Sequence, residues 1–542
     1  MRSNIRHIIF VLILGGLAIT SFAQGWVPVE MNFSQRILLE KAAINDTTAH
    51  HTDIFLNRLS LRDTMAERFS QFSIDGDNYY FRFYPEFNIS AGLQERNQFI
   101  SSNTIGFYAD ASYGSDAHFI GLHAGASAYA GLHAGASAYA GLQPYYMRLL
   151  MQKRRIVPGL WSNETINRTW NLAWEPELIL HYQSPWFVYL ESGIGKTHVG
   201  NGFRSMILSE NAPAYPFARI GAEFSNVNYH MQWMLLENHP YQTWTDPDAT
   251  KLMMMHYLSW NIGSKFSIGL FESIVWSKSD NRQIFDAQYL NPLIFFRPVE
   301  FSIGSSDNVL MGLNLNFVLL KNLQLYSQFV LDDIQVGQFV NDIRFRLGVL
   351  DESETYGWFG NKYSGQIGFK YFDFLGINRL YLQSEINAAR PGTYAHNNVN
   401  QAYTSSYQAL AHPLGANFVE SLSRLVYQYQ NWQFGLTFMY AIQGKSPLNQ
   451  NMGEDIFYPV SDGPGQAWIP ISSYENLILQ GDKLSIQHLN IDVSWSPASE
   501  RNLDLFLTAF YRKSKQENST ELIDCGVFIG GRTQISKLRS FY

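Results

Sequence analysis

Hydrophobic and polar residues alternate along most of this chain. In the stretch DNYYFRFYPEFNISAGL, Tyr79, Phe81 and Phe83 share one parity, whereas Tyr80 and Arg82 share the other. Side chains of a β-strand point alternately to its two faces, so a period of two predicts a strand with one apolar and one polar face. The pattern therefore favours an all-β fold.

The same alternation recurs in later segments of about ten residues. These segments begin at Leu172, Val227, Val309, Leu380, Trp432, Leu489 and Leu503. Short turns, such as 225–226 and 321–322, alternate with long irregular connections, such as 388–424 and 441–484. This arrangement predicts a transmembrane antiparallel β-barrel of about 16–18 strands, with an apolar lipid face and a polar lumen. Closure is expected because lipid offers no hydrogen-bond partner to an open sheet edge.

The N-terminus reads as a secretory signal peptide. Arg2 and Arg6 precede an apolar run that is too short to cross a bilayer comfortably, and small residues follow it. We therefore predict a signal peptide over 1–23, a partly helical periplasmic segment over 24–74, and an outer-membrane barrel over 75–542 of a Gram-negative bacterium.

The net charge and the cysteine count argue against two classes of protein. The formal net charge of −7 argues against nucleic acid as a partner, because such proteins carry a basic footprint. The single cysteine, Cys525, excludes an internal disulfide framework. An exported chain of this size without disulfides requires a large core or a closed barrel.

No motif indicates a cofactor, a metal or an enzyme. The stretch SGIGKTHVG resembles a phosphate-binding loop, but Leu190 occupies the position that needs glycine, so we expect no nucleotide. Met253, Met254 and Met255 precede His256, yet neighbouring strand residues point to opposite faces and cannot converge on one copper ion. We expect these methionines to pack or to face the membrane.

A ten-residue unit, GLHAGASAYA, occupies 121–130 and is repeated without change at 131–140. Ten is even, so the second copy keeps the strand phase, whereas one extra residue would reverse every side chain. Two units in one straight strand exceed the bilayer thickness. Either one copy projects beyond the membrane, which we favour because Ala130-Gly131 lacks hairpin turn chemistry, or the pair folds back there.

Two segments, 198–221 and 289–315, mix polar residues and glycine into apolar runs. A polar residue that interrupts such a run needs a hydrogen-bond partner if it is buried. We expect carboxylates or backbone carbonyls to hold Arg204 and Arg297, with Glu300 and Asp307 as candidate partners. The segments predict either a lumenal network that braces the barrel or a contact to a glycan or partner. The candidate residues are Gly200, Asn201, Gly202, Arg204, Ser209, Asn211, Asn291, Pro292, Arg297, Glu300, Asp307 and Asn308.

These segments resemble the Wzi family of capsule-assembly outer-membrane barrels. The likeness is greater to its Bacteroidetes relatives, the gliding motility proteins of the RemB type. It rests on GNGFRSMILSENAPAYPF, YLNPLIFFRPVEFSIGSSDNVLMGLNL, NLQLYSQFVLDD, GNKYSGQIGFKYFD and AHPLGANFVE, with VEMNFSQRILLEKA near the N-terminus. It implies a barrel of about eighteen strands with a small periplasmic helical piece, a role at the cell surface, and no catalytic residues.

The leading hypothesis is a non-enzymatic barrel in outer-membrane lipid that supports surface polysaccharide assembly or retention, gliding motility, or both. Its partners would be polysaccharide or gliding-machinery proteins. Tyr403, Tyr407 and Trp468 in the long loops are candidate glycan contacts, although such aromatics also suit the membrane interface. The alternatives are a diffusion channel or nutrient transporter, which a barrel of this width could house, and a secreted soluble β-protein.

Overall fold

The computed structural model describes much of the chain from residue 72 to 533, together with four residues near the N-terminus. The described residues are 37, 40, 41, 44, 72–76, 79–94, 98–115, 118–134, 170–184, 187–212, 214–224, 226–237, 250–277, 287–291, 307–351, 353–405, 408–460, 469–497, 503–517 and 519–533. None of the helices among them is long and apolar enough to cross a membrane.

Within the described part of the chain, eighteen antiparallel strands form one closed sheet, which confirms the all-β barrel and the upper end of the predicted strand number. The first nine are β2 (Tyr79–Gln94), β3 (Gln98–Ser115), β4 (His118–Ala134), β5 (Trp170–Gln183), β6 (Val188–Gly195), β7 (Tyr215–Phe224), β8 (Val227–Glu237), β9 (Thr250–Ile262) and β10 (Phe266–Ser277). The other nine are β11 (Asn308–Leu320), β12 (Leu323–Asp333), β13 (Lys362–Phe372), β14 (Leu380–Ala389), β17 (Phe418–Tyr429), β18 (Trp432–Lys445), β19 (Asp482–Trp495), β20 (Leu503–Gln516) and β21 (Leu522–Thr533).

Each strand pairs with the next, and β21 closes the barrel on residues 88–94 of β2. A short strand, β1 (Phe72–Gly76), pairs with residues 79–83 of β2, and β3 occupies the whole opposite edge. The two-residue strands β15 (Thr404–Ser405) and β16 (Gln408–Ala409) form a small hairpin outside the barrel sheet. This pairing between β2 and β21 closes the sheet into a barrel.

The connections differ at the two ends of the barrel. At one end, the short-turn end, the links are as brief as 225–226, 321–322 and 430–431. At the other, the long-loop end, they include 196–214, 334–361 and 390–417. The 334–361 connection contains the helix α1 (Val336–Arg346). Short turns on one side and long loops on the other are typical of outer-membrane barrels.

The predicted alternation of faces is confirmed where side chains are described. In β14 the residues Tyr381, Gln383, Glu385 and Asn387 are buried toward the lumen, whereas Ile386 is exposed on the outer wall. Exposed apolar side chains form a belt around the outer wall. The belt includes Leu313, Phe317, Leu325, Phe329, Ile367, Ile386, Phe434, Leu436, Phe438, Ile491, Leu505, Leu507, Val527 and Ile529.

A polar cluster interrupts this outer wall at β8–β10. The Tyr229 hydroxyl forms a hydrogen bond with Nδ1 of His256. His256 lies opposite Glu272 in the pairing of β9 with β10, and the side chains of His256 and Glu272 are both buried. Nearby, Tyr289 of the β10–β11 connection packs on Trp276, with ring centroids 4.6 Å apart. That connection therefore covers part of the outer wall, and sequence parity alone did not reveal it.

The strand β4 runs through the duplicated unit without a turn. Gly131 pairs with Ser102 of β3 and with Asn171 of β5, and pairing continues to Ala134. The alternative of a fold-back at Ala130-Gly131 is therefore wrong. The remainder of the second copy, 135–140, lies outside the described residues.

Residues near the N-terminus pack inside the barrel at the short-turn end. Positions 37, 40 and 41 are helical, in agreement with the expectation of a helical segment. Glu40 accepts a hydrogen bond of 2.8 Å from Lys370 of β13, and both side chains are buried. Ile37 and Ile44 pack against Val318, Phe372, Tyr381 and Val426. The signal peptide and the periplasmic location remain predictions, since residues 1–36 are not described.

Candidate functional site

The connection between β6 and β7, residues 196–214, folds into the lumen, and we call it the plug segment; all of it except residue 213 is described. Val199 donates a backbone hydrogen bond to Leu208, so the segment forms a compact hairpin-like turn. Met206, Ile207 and Leu208 are fully buried. The plug segment is therefore part of the barrel's core rather than a surface loop.

Glutamate and glutamine side chains on the opposite wall bind the backbone of the plug segment. Glu385 of β14 accepts from the amides of Phe203 at 2.8 Å and Arg204 at 2.9 Å. Gln366 of β13 donates to the Arg204 carbonyl at 2.9 Å. Gln328 of β12 accepts from the Met206 amide at 2.7 Å. Buried peptide N–H and C=O groups that have lost their hydrogen bonds to water cost free energy unless they find other hydrogen-bond partners. The side chains of the barrel wall supply these partners.

The Arg204 side chain lies against two carboxylates. Its Nε is 3.6 Å from Oε2 of Glu420, and that oxygen also accepts from Asn387 at 2.9 Å. Nε2 of His412 is 2.7 Å from the same oxygen. We call the plug segment, Gln328, Gln366, Glu385, Asn387, His412 and Glu420 the lumenal network. Glu385 and Glu420 are the acidic members of this network.

Burial shifts the pKa of the two network members that lie in connections, Arg204 and His412. Burial lowers the pKa of the Arg204 guanidinium, and the neighbouring Glu420 and Glu385 carboxylates oppose that shift. Burial likewise lowers the pKa of His412, against the attraction of Glu420. Dehydration outweighs the attraction at both residues.

The connection 390–417 holds the outer part of the plug segment. The Ser209 hydroxyl donates to the carbonyl of Ala411, and the Asn211 side chain donates to Ala409 at 2.9 Å. Tyr394 donates to the Met206 carbonyl at 2.6 Å. Burial raises the pKa of the Tyr394 phenol. Two connections that are far apart in sequence therefore close over each other inside the barrel.

The structure separates the predicted residues into two groups. Gly200, Asn201, Gly202, Arg204, Ser209 and Asn211 all belong to the plug segment. Asp307 and Asn308 lie elsewhere, where Asp307 accepts from Tyr289 and Gln401, and Asn308 donates to the Gln401 carbonyl at 3.0 Å. Asp307 was a candidate partner of Arg204. That expectation is wrong, because Arg204 pairs with Glu420 instead. Asn291 is partly buried after a short helical turn, while Pro292, Arg297 and Glu300 lie outside the described residues.

Tyr403 is fully buried, so the expectation that it contacts a glycan is contradicted in this conformation. Its ring stacks on Tyr394 with centroids 5.9 Å apart, within the main core. A sugar ring would find no free aromatic face there. Tyr407 and Trp468 lie outside the described residues, and their proposed contacts stay predictions.

The methionine stretch serves packing. Met253 and Met255 belong to the main core, whereas Met254 belongs to a separate cluster with Trp276 and Tyr289. Neighbouring methionines point to opposite faces, as the strand parity predicts. Among the described residues, no group of three or more His, Cys, Asp or Glu side chains is arranged to hold a metal ion.

The residues on the wall side of the network were not predicted from the sequence. Glu385 and Asn387 stood out only by their polar parity, and His412 and Glu420 only as members of AHPLGANFVE. The row of long amide and acidic side chains at inward positions of β12–β14 could have indicated the partners of the plug segment. Such side chains reach across a lumen to bind backbone groups.

Two glycines, Gly200 and Gly202, allow the plug segment to approach the wall. Gly200 has a φ of 99°, and a Cβ there would lie 2.1 Å from Nε2 of Gln328. We expect Gly200→Ala to destabilise the barrel by about 1–3 kcal/mol, because it strains the backbone and displaces Gln328. The temperature at which the folded form is lost in heat-modifiable gel mobility measures this effect.

Gly337 in α1 is the matched control, because a Cβ there meets nothing within 4 Å. Gly337→Ala is expected to be neutral or to stabilise by about 0.5–1 kcal/mol, since alanine favours helix. Equal melting of both variants would contradict the close packing of the plug segment.

No family model matches this chain, and no curated protein matches its sequence. Several solved outer-membrane barrels resemble it in fold. The structure of Wzi, a carbohydrate-binding β-barrel involved in group 1 capsule assembly in Escherichia coli, matches with 10% identity and a TM-score of 0.48 over 96% of both chains.

Two Pseudomonas aeruginosa proteins are also similar in fold. OccK5 (OpdH) matches with 8% identity and a TM-score of 0.42, over 84% of this chain and 98% of its own. OprD matches with 8% identity and a TM-score of 0.41, over 85% and 96%. All three TM-scores fall below 0.5, and the fold of this chain is defined by the pairing of its own strands.

Proposed function

We propose that this protein is a plugged, non-enzymatic outer-membrane barrel that helps to assemble or retain surface polysaccharide. The apolar belt supports the membrane location. Exposed side chains such as Leu436, Phe438, Leu505 and Ile529 face outward on neighbouring strands, and soluble proteins rarely expose contiguous apolar patches of this extent. Lipid is the solvent that such a wall fits.

The observation that carries the proposal is the lumenal network. In an open channel the inward polar side chains of the wall face water. Here Gln328, Gln366 and Glu385 instead bind the backbone of the plug segment. A segment with this many buried, directed hydrogen bonds is an integral part of the structure, which favours a closed barrel over a diffusion pore.

The polysaccharide role rests on the sequence resemblance to capsule-assembly barrels. Three of the stretches that carry this resemblance fall on the plug segment and its anchors: GNGFRSMILSENAPAYPF contains Arg204, GNKYSGQIGFKYFD contains Gln366, and AHPLGANFVE contains His412 and Glu420. The likeness therefore concerns the elements that close the lumen. A gliding role, which the RemB-type resemblance implies, belongs to the same proposal.

Deletion of the gene tests this role. We expect less cell-attached polysaccharide by capsule staining, with the lost material recovered from the medium, and slower surface spreading. Re-expression of the wild-type chain from a plasmid should restore both properties. Unchanged polysaccharide retention together with unchanged spreading would contradict the proposal.

A diffusion channel is the second candidate, and an observation on another part of the wall favours it. The inward residues Gln433 and Thr437 of β18 and Asn490 of β19 are only partly buried. This side of the lumen is therefore less completely filled than the β12–β14 side. Single-channel recording distinguishes the candidates, because a large stable wild-type current would favour the channel.

A further inference from the structure

We propose that α1 is an amphipathic helix that rests on the outer leaflet of the membrane and contacts lipid with its exposed apolar stripe. This inference rests on the proposed location of the barrel in the outer membrane. It adds a second lipid-contacting surface, formed by a loop helix rather than by the strands.

One face of α1 is fixed to the protein. The Phe339 ring meets Tyr363 of β13 edge-on with centroids 5.6 Å apart, and Phe345 stacks on Tyr356 at 3.5 Å. The buried carboxylate of Asp342 accepts from the Gly357 amide at 2.6 Å. These contacts set the rotation of the helix about its own axis.

The opposite face carries an exposed apolar stripe. Val336, Val340, Ile343 and Leu347 follow each other at spacings of three and four residues, which places them along one side of the helix. Val336 and Leu347 are 69% and 70% exposed. A helix in a loop surrounded by water normally turns such a stripe inward, so the stripe requires an apolar environment.

The position of α1 identifies lipid as that environment. Tyr363, which holds Phe339, lies 6.3 Å from the Phe329 ring by centroids, and Phe329 belongs to the exposed belt on β12. The helix therefore adjoins the belt at the long-loop end of the barrel. Tyrosine is common at this level, where the hydrocarbon meets the headgroups. The apolar stripe of α1 therefore extends the lipid-facing belt toward the long-loop end of the barrel.

One exposed basic side chain at the end of α1 can reach a headgroup phosphate. Arg344 pairs with Glu354 at 2.6 Å, whereas Arg346 is exposed in the last turn of the helix. Interfacial helices combine an apolar face with basic residues that contact headgroup phosphates. In α1 the apolar stripe is accompanied by one exposed basic residue, Arg346.

Spin labels at single cysteines test this inference in the full chain. The exposed native Cys525 is first replaced, C525S, and the protein is reconstituted in vesicles of phosphatidylethanolamine and phosphatidylglycerol. Collision of the nitroxide with oxygen, which concentrates in lipid, is compared with collision with a water-soluble nickel complex. We expect V340C and I343C to collide more with oxygen than with nickel.

Three control positions separate this inference from the proposed function. L436C on the outer wall of β18 should report lipid if the barrel spans the membrane. D351C, whose side chain is 78% exposed just beyond α1, and L448C, at a leucine 91% exposed in another long connection, should report water.

Lipid contact at V340C and L436C with water at D351C and L448C supports the inference. Water at V340C with lipid at L436C would overturn the inference alone and leave the membrane barrel intact. Water at L436C would overturn the proposed location and the inference with it. Spin–spin broadening at V340C would assign the stripe to a second copy of this chain and would also overturn the inference.

Discussion

Replacement of residues 196–214 by a four-residue turn is expected to convert a silent barrel into a conducting one. Gly195 and Tyr215 are direct Cα partners across β6 and β7, so a tight turn can join them without disturbing either strand. The excision removes the segment that Glu385, Gln366 and Gln328 hold in the lumen. Barrels of this strand number enclose an aqueous channel when no segment fills them.

Planar-bilayer recording measures the outcome. We expect no stable current from the wild-type protein and long-lived open steps from the excised variant. The control replaces 334–361 by a similar turn between Asp333 and Lys362, which are also Cα partners. That connection carries α1 against the outer wall, so its removal should leave the barrel silent.

A silent excised variant that still inserts and shows heat-modifiable mobility would contradict the assignment of 196–214 as the plug. Equal conductance of both turn replacements would show that any shortened loop opens the barrel. Either result would leave the lumenal network as a bracing element without a role in closure.

Substitution of Glu420 is expected to have the largest effect of any single side chain. Its Oε2 atom lies within hydrogen-bonding distance of Asn387 and His412 and pairs with Arg204 at 3.6 Å, and the side chain is fully buried. Glu420→Ala removes the carboxylate that forms an ion pair with the buried Arg204 guanidinium. Loss of one partner from a buried ion pair costs about 3–5 kcal/mol.

Urea titration of the reconstituted protein, read by gel mobility, measures this loss. Glu420→Gln should lie between wild type and Glu420→Ala, because an amide oxygen can still accept from Asn387 but carries no charge. Glu354→Gln is the control, since Glu354 forms an ion pair with Arg344 that is about one-third exposed. Exposed pairs contribute roughly 0–1 kcal/mol. Similar losses for Glu420→Ala and Glu354→Gln would contradict a structural role for the network.

The architecture could be predicted largely from the sequence. Parity assigned Phe434, Leu436 and Phe438 to one face, and all three are exposed on the outer wall. The long connections fell where alternation stopped. The duplicated unit was predicted to continue as a strand, and β4 does so as far as Ala134.

Only the plug segment of the candidate site was predicted from the sequence, and the wall residues that bind it were not. Glycines and an arginine inside an apolar run marked the plug segment, because such residues are costly there unless the fold requires them. Its partners were not identified: Asp307 binds Tyr289 and Gln401 instead of Arg204. Tyr403 looked like a surface aromatic because nothing local shows that its loop folds inward.

The sequence by itself determined the strands and their two faces, because alternation is a property of neighbouring residues along one chain. The tertiary structure alone decided which polar side chains meet. Phe203 and Glu385 are 182 positions apart, and their hydrogen bond exists only once the sheet has closed and the plug segment has entered the lumen. Contacts across a closed barrel depend on the register of every strand between the partners, and a local pattern does not contain that information.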